Sequence, residues 1–340
     1  MALTQFYNNV IKKACSRSQM ILHGFFVNCG HYSCYYAFWS AMWWIGFYGR
    51  SSSLSTVALK KKTKFMHHYL KPYSDAALAA VKVSAPMEQL TTENYYIWVL
   101  WWQGMDSAPE LVRACYANLV HQNGSRVKLI TKDNINLYVD IPKYILEKVE
   151  NNIITFTHFS DILRVSLLAC HGGIWIDSTC WTTEPVPKRF LNCPVYTSKT
   201  KGQRDYGLWS NAKWSGWLLG TNSKQHPGFV FCRQFFVEYW KNETVLIDYL
   251  LIDFVLTLAY ENVRKFQLDV DNVPFNNENR NSLYFLLNQE YDYTKLQKIM
   301  NNSWCFKLSY KHNHPKKSKS GKITFYGYIL DTISGSFHPR

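Results

Sequence analysis

A 340-residue chain with 47% hydrophobic and 18% charged residues can build a sizeable packed core, which excludes general disorder. Lys and Arg number 38 against 24 Asp and Glu, and the formal net charge of +14 calls for an anionic partner: nucleic acid, anionic lipid or a phosphorylated substrate. The nine cysteines are scattered with no Cys-x-x-Cys pair; with no secretory signal at the N-terminus, the expectation is reduced thiols and a cytoplasmic protein.

Residues 1–90 read as a helical N-terminal region, and residues 91–340 as a sheet-containing domain. Lys12, Lys13 and Arg17 form a short basic segment. From Ile21 to Gly49 there is no acidic or basic side chain, counting His as neutral. That length could span a bilayer, but His23, Asn28, His31, Ser33 and Ser40 interrupt it. Tyr35, Tyr36, Trp39, Trp43 and Trp44 suit a membrane–water interface. Three readings stay open, in this order: peripheral association with the inner face of a membrane, burial against the domain that follows, and a true span. Cys29, His31 and Cys34 lie close together, but no second Cys/His pair at zinc spacing follows. Ser51-Ser52-Ser53 reads as a polar linker, and the lysines at 60–62 and 64 as a solvated loop. Short helices are expected over 63–70 and 74–83, separated by Lys71-Pro72.

The continuous apolar run Tyr95–Trp102 fits a strand buried on both faces. Gly104 breaks it, Ser107 and Pro109 suit a helix start, and Leu111, Cys115 and Leu119 carry helical spacing. Val127–Ile130 is the next strand, so the order is β-α-β and the fold an open α/β sheet. A short helix follows Pro142. Residues 157–179 then give an amphipathic helix with Asp161 and Arg164 three apart, a Gly172-Gly173 stop, the short apolar strand Ile174-Trp175-Ile176, and Asp177 at its carboxyl end. Ligands of open α/β sheets bind beyond that end of the strands. Farther on, strands are expected at Val195–Thr197 and Trp217–Gly220, and helices after His226-Pro227 and over 246–260 and 281–287. Asp248 and Asp253 sit on the second of these helices, five apart, which is not a same-face spacing, so at most one is functional. His312 and His314 read as loop histidines.

The stretch Ser160-Asp161-Ile162-Leu163-Arg164 followed by Gly172-Gly173-Ile174-Trp175-Ile176-Asp177-Ser178-Thr179 resembles the capsular polysaccharide synthesis protein family. It is similar also to the sugar-binding DXD-motif glycosyltransferases, including yeast-type α-mannosyltransferases and, more distantly, clostridial toxin glucosyltransferases. The resemblance spans residues 95–311 and implies a GT-A-like, Rossmann-type nucleotide-sugar-binding domain behind the helical extension. It implies a retaining transfer from a UDP- or GDP-linked donor to a glycan or lipid-linked acceptor in capsular or surface polysaccharide synthesis. Trp102 would stack on the donor base, Trp101 pointing to the other face of the strand. Asp161, Arg164 and Gly173 would hold the donor, and Asp177 with Thr179 a Mn²⁺ or Mg²⁺ ion. In Lys307-Leu308-Ser309-Tyr310-Lys311, which resembles a C-terminal element of the group, Lys311 would meet the diphosphate. Thr179 stands where a second motif acid is usual, which leaves the metal with one carboxylate. The competing readings are a basic protein binding nucleic acid or membrane without catalysis, and an inactive transferase relative; under the enzyme reading no nucleic acid is expected.

Overall fold

The computed structural model describes residues 2–91, 94–201 and 208–331, with side chains from residue 16 onward. Four helices open the chain: α1 (Ala2–His31), α2 (Cys34–Tyr48), α3 (Ser52–Tyr69) and α4 (Lys71–Val83). The expected linker at Ser51 is a helix cap instead: the Ser51 hydroxyl accepts from the Leu54 amide and α3 runs unbroken. Pro72 falls in the first turn of α4, where its missing N–H costs nothing.

The rest alternates strand and helix. In order come β1 (Glu88–Gln89), β2 (Ile97–Leu100), α5 (Glu110–Asn123), β3 (Val127–Ile130), α6 (Lys143–Glu150), α7 (Phe156–His171), β4 (Gly173–Ile176), β5 (Cys180–Thr182), β6 (Val195–Thr197), β7 (Leu218–Thr221) and β8 (Ser223–Lys224). The helices α8 (Pro227–Asn242), α9 (Leu251–Asn262), α10 (Arg264–Asp271), α11 (Ser282–Leu286) and α12 (Tyr293–Met300) lead to β9 (Cys305–Lys307) and α13 (Phe325–Asp331). The fold is mixed α/β. Its main sheet has the order β3-β2-β4-β7-β6: β2 lies parallel to β3 and β4, while β7 runs antiparallel to both β4 and β6. β5 and β9 form a separate antiparallel pair.

From β2 the chain crosses to β3 on one side, then returns to β4 on the other. The carboxyl ends of β2 and β4 therefore flank a switch point, the usual ligand position in an open α/β sheet. The Gly172-Gly173 stop makes this possible. Both residues have positive φ (64° and 86°), and a Cβ on Gly173 would lie 2.3 Å from the Tyr96 carbonyl oxygen. The chain thus turns straight from α7 into β4 hard against β2.

The N-terminal helices share the main hydrophobic core. Tyr36, Met66, Leu70 and Ala77 pack in the same buried cluster as Phe159 of α7, Phe235 of α8 and Phe254 of α9. Lys62, expected in a solvated loop, is buried on α3: its ammonium lies 2.6 Å from Asp248 Oδ2 and over the rings of Trp43 and Trp209, at 4.4 and 4.6 Å. Burial lowers the Lys62 pKa and Asp248 opposes that shift. Asp248 precedes α9 rather than lying on it, and is committed to Lys62, the Tyr36 hydroxyl and the Leu250 amide. Among the described residues no helix is long and apolar enough to cross a membrane. The cysteines from Cys29 onward among the described residues are free thiols.

Candidate functional site

A cavity of about 580 Å³ opens at the switch point. The end of β2 contributes Leu100, Trp101, Trp102 and Gln103; the first turns of α7 contribute Phe156, Thr157 and Ser160. Asp177, Ser178 and Thr179 follow β4, Tyr249 precedes α9, and Lys307–Lys311 leave β9.

Among the described residues, Asp177 is the one acidic side chain lining this cavity. Its backbone is fixed by the sheet, the amide donating to the Trp217 carbonyl at 3.0 Å. Oδ1 accepts from Trp175 Nε1 at 2.7 Å and from Arg164 Nη2 at 3.2 Å. Oδ2 accepts from Lys307 Nζ at 2.5 Å, and the same ammonium lies 2.9 Å from Thr179 Oγ1. Burial pushes the Asp177 carboxyl up, but the Lys307 ammonium and the Arg164 guanidinium outweigh it and hold it below the ordinary carboxylate value. Burial pushes the Lys307 ammonium down, and Asp177 more than offsets that, leaving it raised. The carboxylate is thus ionised and compensated by two cations, which makes it a weak base.

Arg164 is almost wholly buried, its guanidinium 4.9 Å from the Trp175 ring centroid, and its Nη1 donates to Asp161 Oδ1 at 2.8 Å. Charges therefore alternate from Asp161 through Arg164 and Asp177 to Lys307, running from the interior to the cavity wall. Gly216 leaves room for this row, since a Cβ there would sit 3.0 Å from Arg164 Nη1.

The expected site residues divide. Trp102, Asp177, Thr179 and Lys311 line the cavity together. Asp161 and Arg164 stand behind Asp177 and are not among the lining residues. Gly173 lies at the opposite end of β4 from Asp177, where its lack of a side chain serves the close approach to Tyr96. Trp101 was expected on the other face of the strand. Because β2 ends at Leu100, strict alternation stops there, and both tryptophans line the cavity. The Trp101 indole nitrogen is buried with no hydrogen-bond partner. Trp98 is a core residue, buried and donating to the Gly172 carbonyl at 2.8 Å.

Lys307 and Tyr249 are the residues that the sequence reading missed. The signal for Lys307 lay in the same Lys-Leu-Ser-Tyr-Lys element: its first lysine closes a strand whose preceding residues, Cys305 and Phe306, are buried. Nothing in the sequence marked Tyr249.

The oxygens offered to a divalent ion, Asp177 Oδ2 and Thr179 Oγ1, both contact the Lys307 ammonium. No group of three or more His, Cys, Asp or Glu suited to a metal occurs among the described residues. Mg²⁺ and Mn²⁺ favour several oxygen ligands, carboxylates foremost. A single carboxylate already compensated by Arg and Lys does not fit a resident ion of that kind.

The model of a family described as "Capsular polysaccharide synthesis protein" matches residues 50–329, which takes in α3 and α4 as well as the stretch 95–311. No curated protein matches the chain. Among solved structures, a chain titled "PaToxG Glycosyltransferase" is 12% identical, with 71% of this chain and 86% of that one covered and a TM-score of 0.35. A superposition this loose constrains neither fold nor function.

Proposed function

This chain belongs to the capsular polysaccharide synthesis protein family, and we propose that within it the protein is a retaining glycosyltransferase with a GT-A-like site for a nucleotide-sugar. The observation that carries the proposal is Asp177, presented beyond the carboxyl end of β4 in a cavity lined by three tryptophans and two lysines. The donor would be a UDP- or GDP-sugar and the acceptor a glycan or lipid-linked glycan of a capsule or surface polysaccharide.

In this reading Trp102 stacks on the base, a contact that any nucleobase can make. Trp101 packs beside the donor as part of the same wall, and Asp177 holds the sugar hydroxyls. Lys307 and Lys311 face the diphosphate and stabilise the charge that develops on it as the anomeric C–O bond breaks. Asp161 and Arg164 act through Asp177, fixing its position and its ionised state.

The acceptor oxygen forms the new bond on the face from which the nucleoside diphosphate leaves, and its proton passes to the departing phosphate oxygen. Retention agrees with the carboxylate inventory: among the described residues the cavity offers one acid, and its two cationic partners leave it a poor general base. The chemistry needs positioning and leaving-group stabilisation more than a strong base. No step is routed through a metal, because the site supplies its own cations.

Incubating the purified protein with a panel of UDP- and GDP-sugars, and measuring nucleoside diphosphate release, tests the proposal. One donor should be turned over by wild type, and Asp177→Ala should abolish turnover while thermal unfolding stays cooperative. An Asp177→Ala variant as active as wild type would overturn the assignment. Donor binding without turnover in wild type would instead identify an inactive relative.

A further inference from the structure

We propose that the α1–α2 hairpin, with the basic residues beside it, seats the protein on the surface of an anionic phospholipid bilayer. Three observations converge. Both helices leave large apolar side chains in solvent: Leu22 is 57% and Phe26 68% exposed on α1, and Tyr35, Phe38 and Ile45 are exposed on α2. Tyr35, Phe38 and Ile45 are spaced three and seven residues apart, so they form one stripe. The other side of α2, with Tyr36, Ala37, Ser40, Trp43 and Gly46, is buried against the body of the protein.

The charge pattern identifies what covers that stripe. The first 74 residues contain nine Lys and Arg and no Asp or Glu. Arg17 lies with its guanidinium 4.5 Å from the Tyr48 ring centroid, so Arg17 and Arg50 occupy the same end of the hairpin. Lys60, Lys61 and Lys64 are exposed on α3, and Lys62, the remaining lysine of that run, is the buried one. Exposed aromatic and aliphatic groups on a helical stretch that carries exposed cations and no acid before Asp75 match a bilayer with anionic headgroups, where each basic residue near the surface adds attraction. No helix among the described residues is long and apolar enough to cross, so the hairpin lies on the membrane rather than through it.

The same hairpin end adjoins the cavity. The Trp44 ring centroid is 6.5 Å from that of Tyr249, which lines the cavity wall. A lipid-linked acceptor would therefore reach the cavity from the bilayer, a consequence that rests on the transferase reading; the docking itself does not.

The test is co-sedimentation of the full chain with sucrose-loaded vesicles of phosphatidylcholine alone or with about a third phosphatidylglycerol, without donor or acceptor. Wild type should bind the anionic vesicles about ten-fold or more tightly than the neutral ones, and added salt should weaken the binding. The Leu22→Ser/Phe26→Ser/Phe38→Ser/Ile45→Ser variant should lose vesicle binding while keeping wild-type hydrolysis of the sugar nucleotide in solution. A Lys60→Glu/Lys61→Glu/Lys64→Glu variant, altered only at exposed charges, should lose the preference for anionic vesicles. Equal binding of both vesicle types by wild type, or vesicle binding unchanged in either variant, would overturn the proposal. So would wild type that ignores vesicles and self-associates through the hairpin, as read by light scattering. Because vesicle binding needs no turnover, a failed donor screen leaves this result standing, and the reverse also holds.

Discussion

Lys307 bridges Asp177 and Thr179: its ammonium lies 2.5 Å from Asp177 Oδ2 and 2.9 Å from Thr179 Oγ1. In the proposed transfer this lysine stabilises the leaving diphosphate, so Lys307→Ala should lower kcat by about 10²- to 10³-fold, equivalent to about 3–4 kcal/mol. Lys311, farther along the same wall, has no such partner in the motif, and Lys311→Ala should act mainly on KM for the donor. Steady-state kinetics of the two variants side by side separate the roles; equal kcat losses would remove the distinction.

If Lys307 and Arg164 supply the positive charge, chelation is nearly without effect. Donor turnover in excess EDTA should stay within about two-fold of that in added Mn²⁺. Loss of activity on chelation, restored by Mn²⁺ or Mg²⁺, would show that the diphosphate brings an ion that displaces Lys307 from Asp177.

The Asp177–Lys307 pair also sets a pH window. The folded-state pKa of Asp177 is lowered, so its contribution to stability is present above the unfolded value, near ~4, and is lost as pH falls through the lower folded value. That of Lys307 is raised, so its contribution is present below ~10.5 and is lost as pH rises through the higher folded value. The urea midpoint difference between wild type and Asp177→Asn should be flat between these limits and shrink outside them. A difference that changes through neutral pH would assign the titration to another group.

Trp102 should matter for the donor more than for the fold. It is only partly buried, with its ring centroid 5.2 Å from that of Phe159. Trp102→Ala should weaken binding of the nucleoside diphosphate by about 1–3 kcal/mol, with Trp102→Phe recovering part of it. Isothermal titration of the two variants decides this; undiminished binding by Trp102→Ala would move the base elsewhere in the cavity.

Lys62 and Asp248 form a buried pair whose disruption should be costly. Lys62→Met leaves the Asp248 carboxylate buried and short of its cation, a loss of about 3–5 kcal/mol. The double change Lys62→Met/Asp248→Leu should recover much of it. Denaturation of the single and double variants measures the coupling.

The central geometry was legible because it depends on local chemistry. Two glycines ending an apolar helix, three β-formers and an acid specify a tight turn into a short strand wherever the rest of the chain lies, and Val127–Ile130 forms the strand that its composition suggests. What depended on distant partners was not legible. Lys62 sits in a lysine run that looks solvated until Asp248, Trp43 and Trp209 close around it. Asp161 and Arg164 share a helix face as their spacing requires, but only the third dimension shows that this face meets the back of Asp177 rather than the ligand. Of the two lysines in Lys307–Lys311, the sequence reading chose Lys311 and passed over Lys307. The pairing of β9 with β5, which sets Lys307 opposite Cys180 three residues past Asp177, distinguishes them.

The bond from α3 to the residue just before Tyr249 reaches beyond stability. Tyr249 forms part of the cavity wall, and its neighbour Asp248 is tied to Lys62. Trimming the protein to begin at the first long strand would strip away that lysine and the tyrosine at position 36, leaving a carboxylate stranded beside the cavity wall. The opening helices are thus a supporting wall of the chamber, and a shortened version would be damaged rather than minimal.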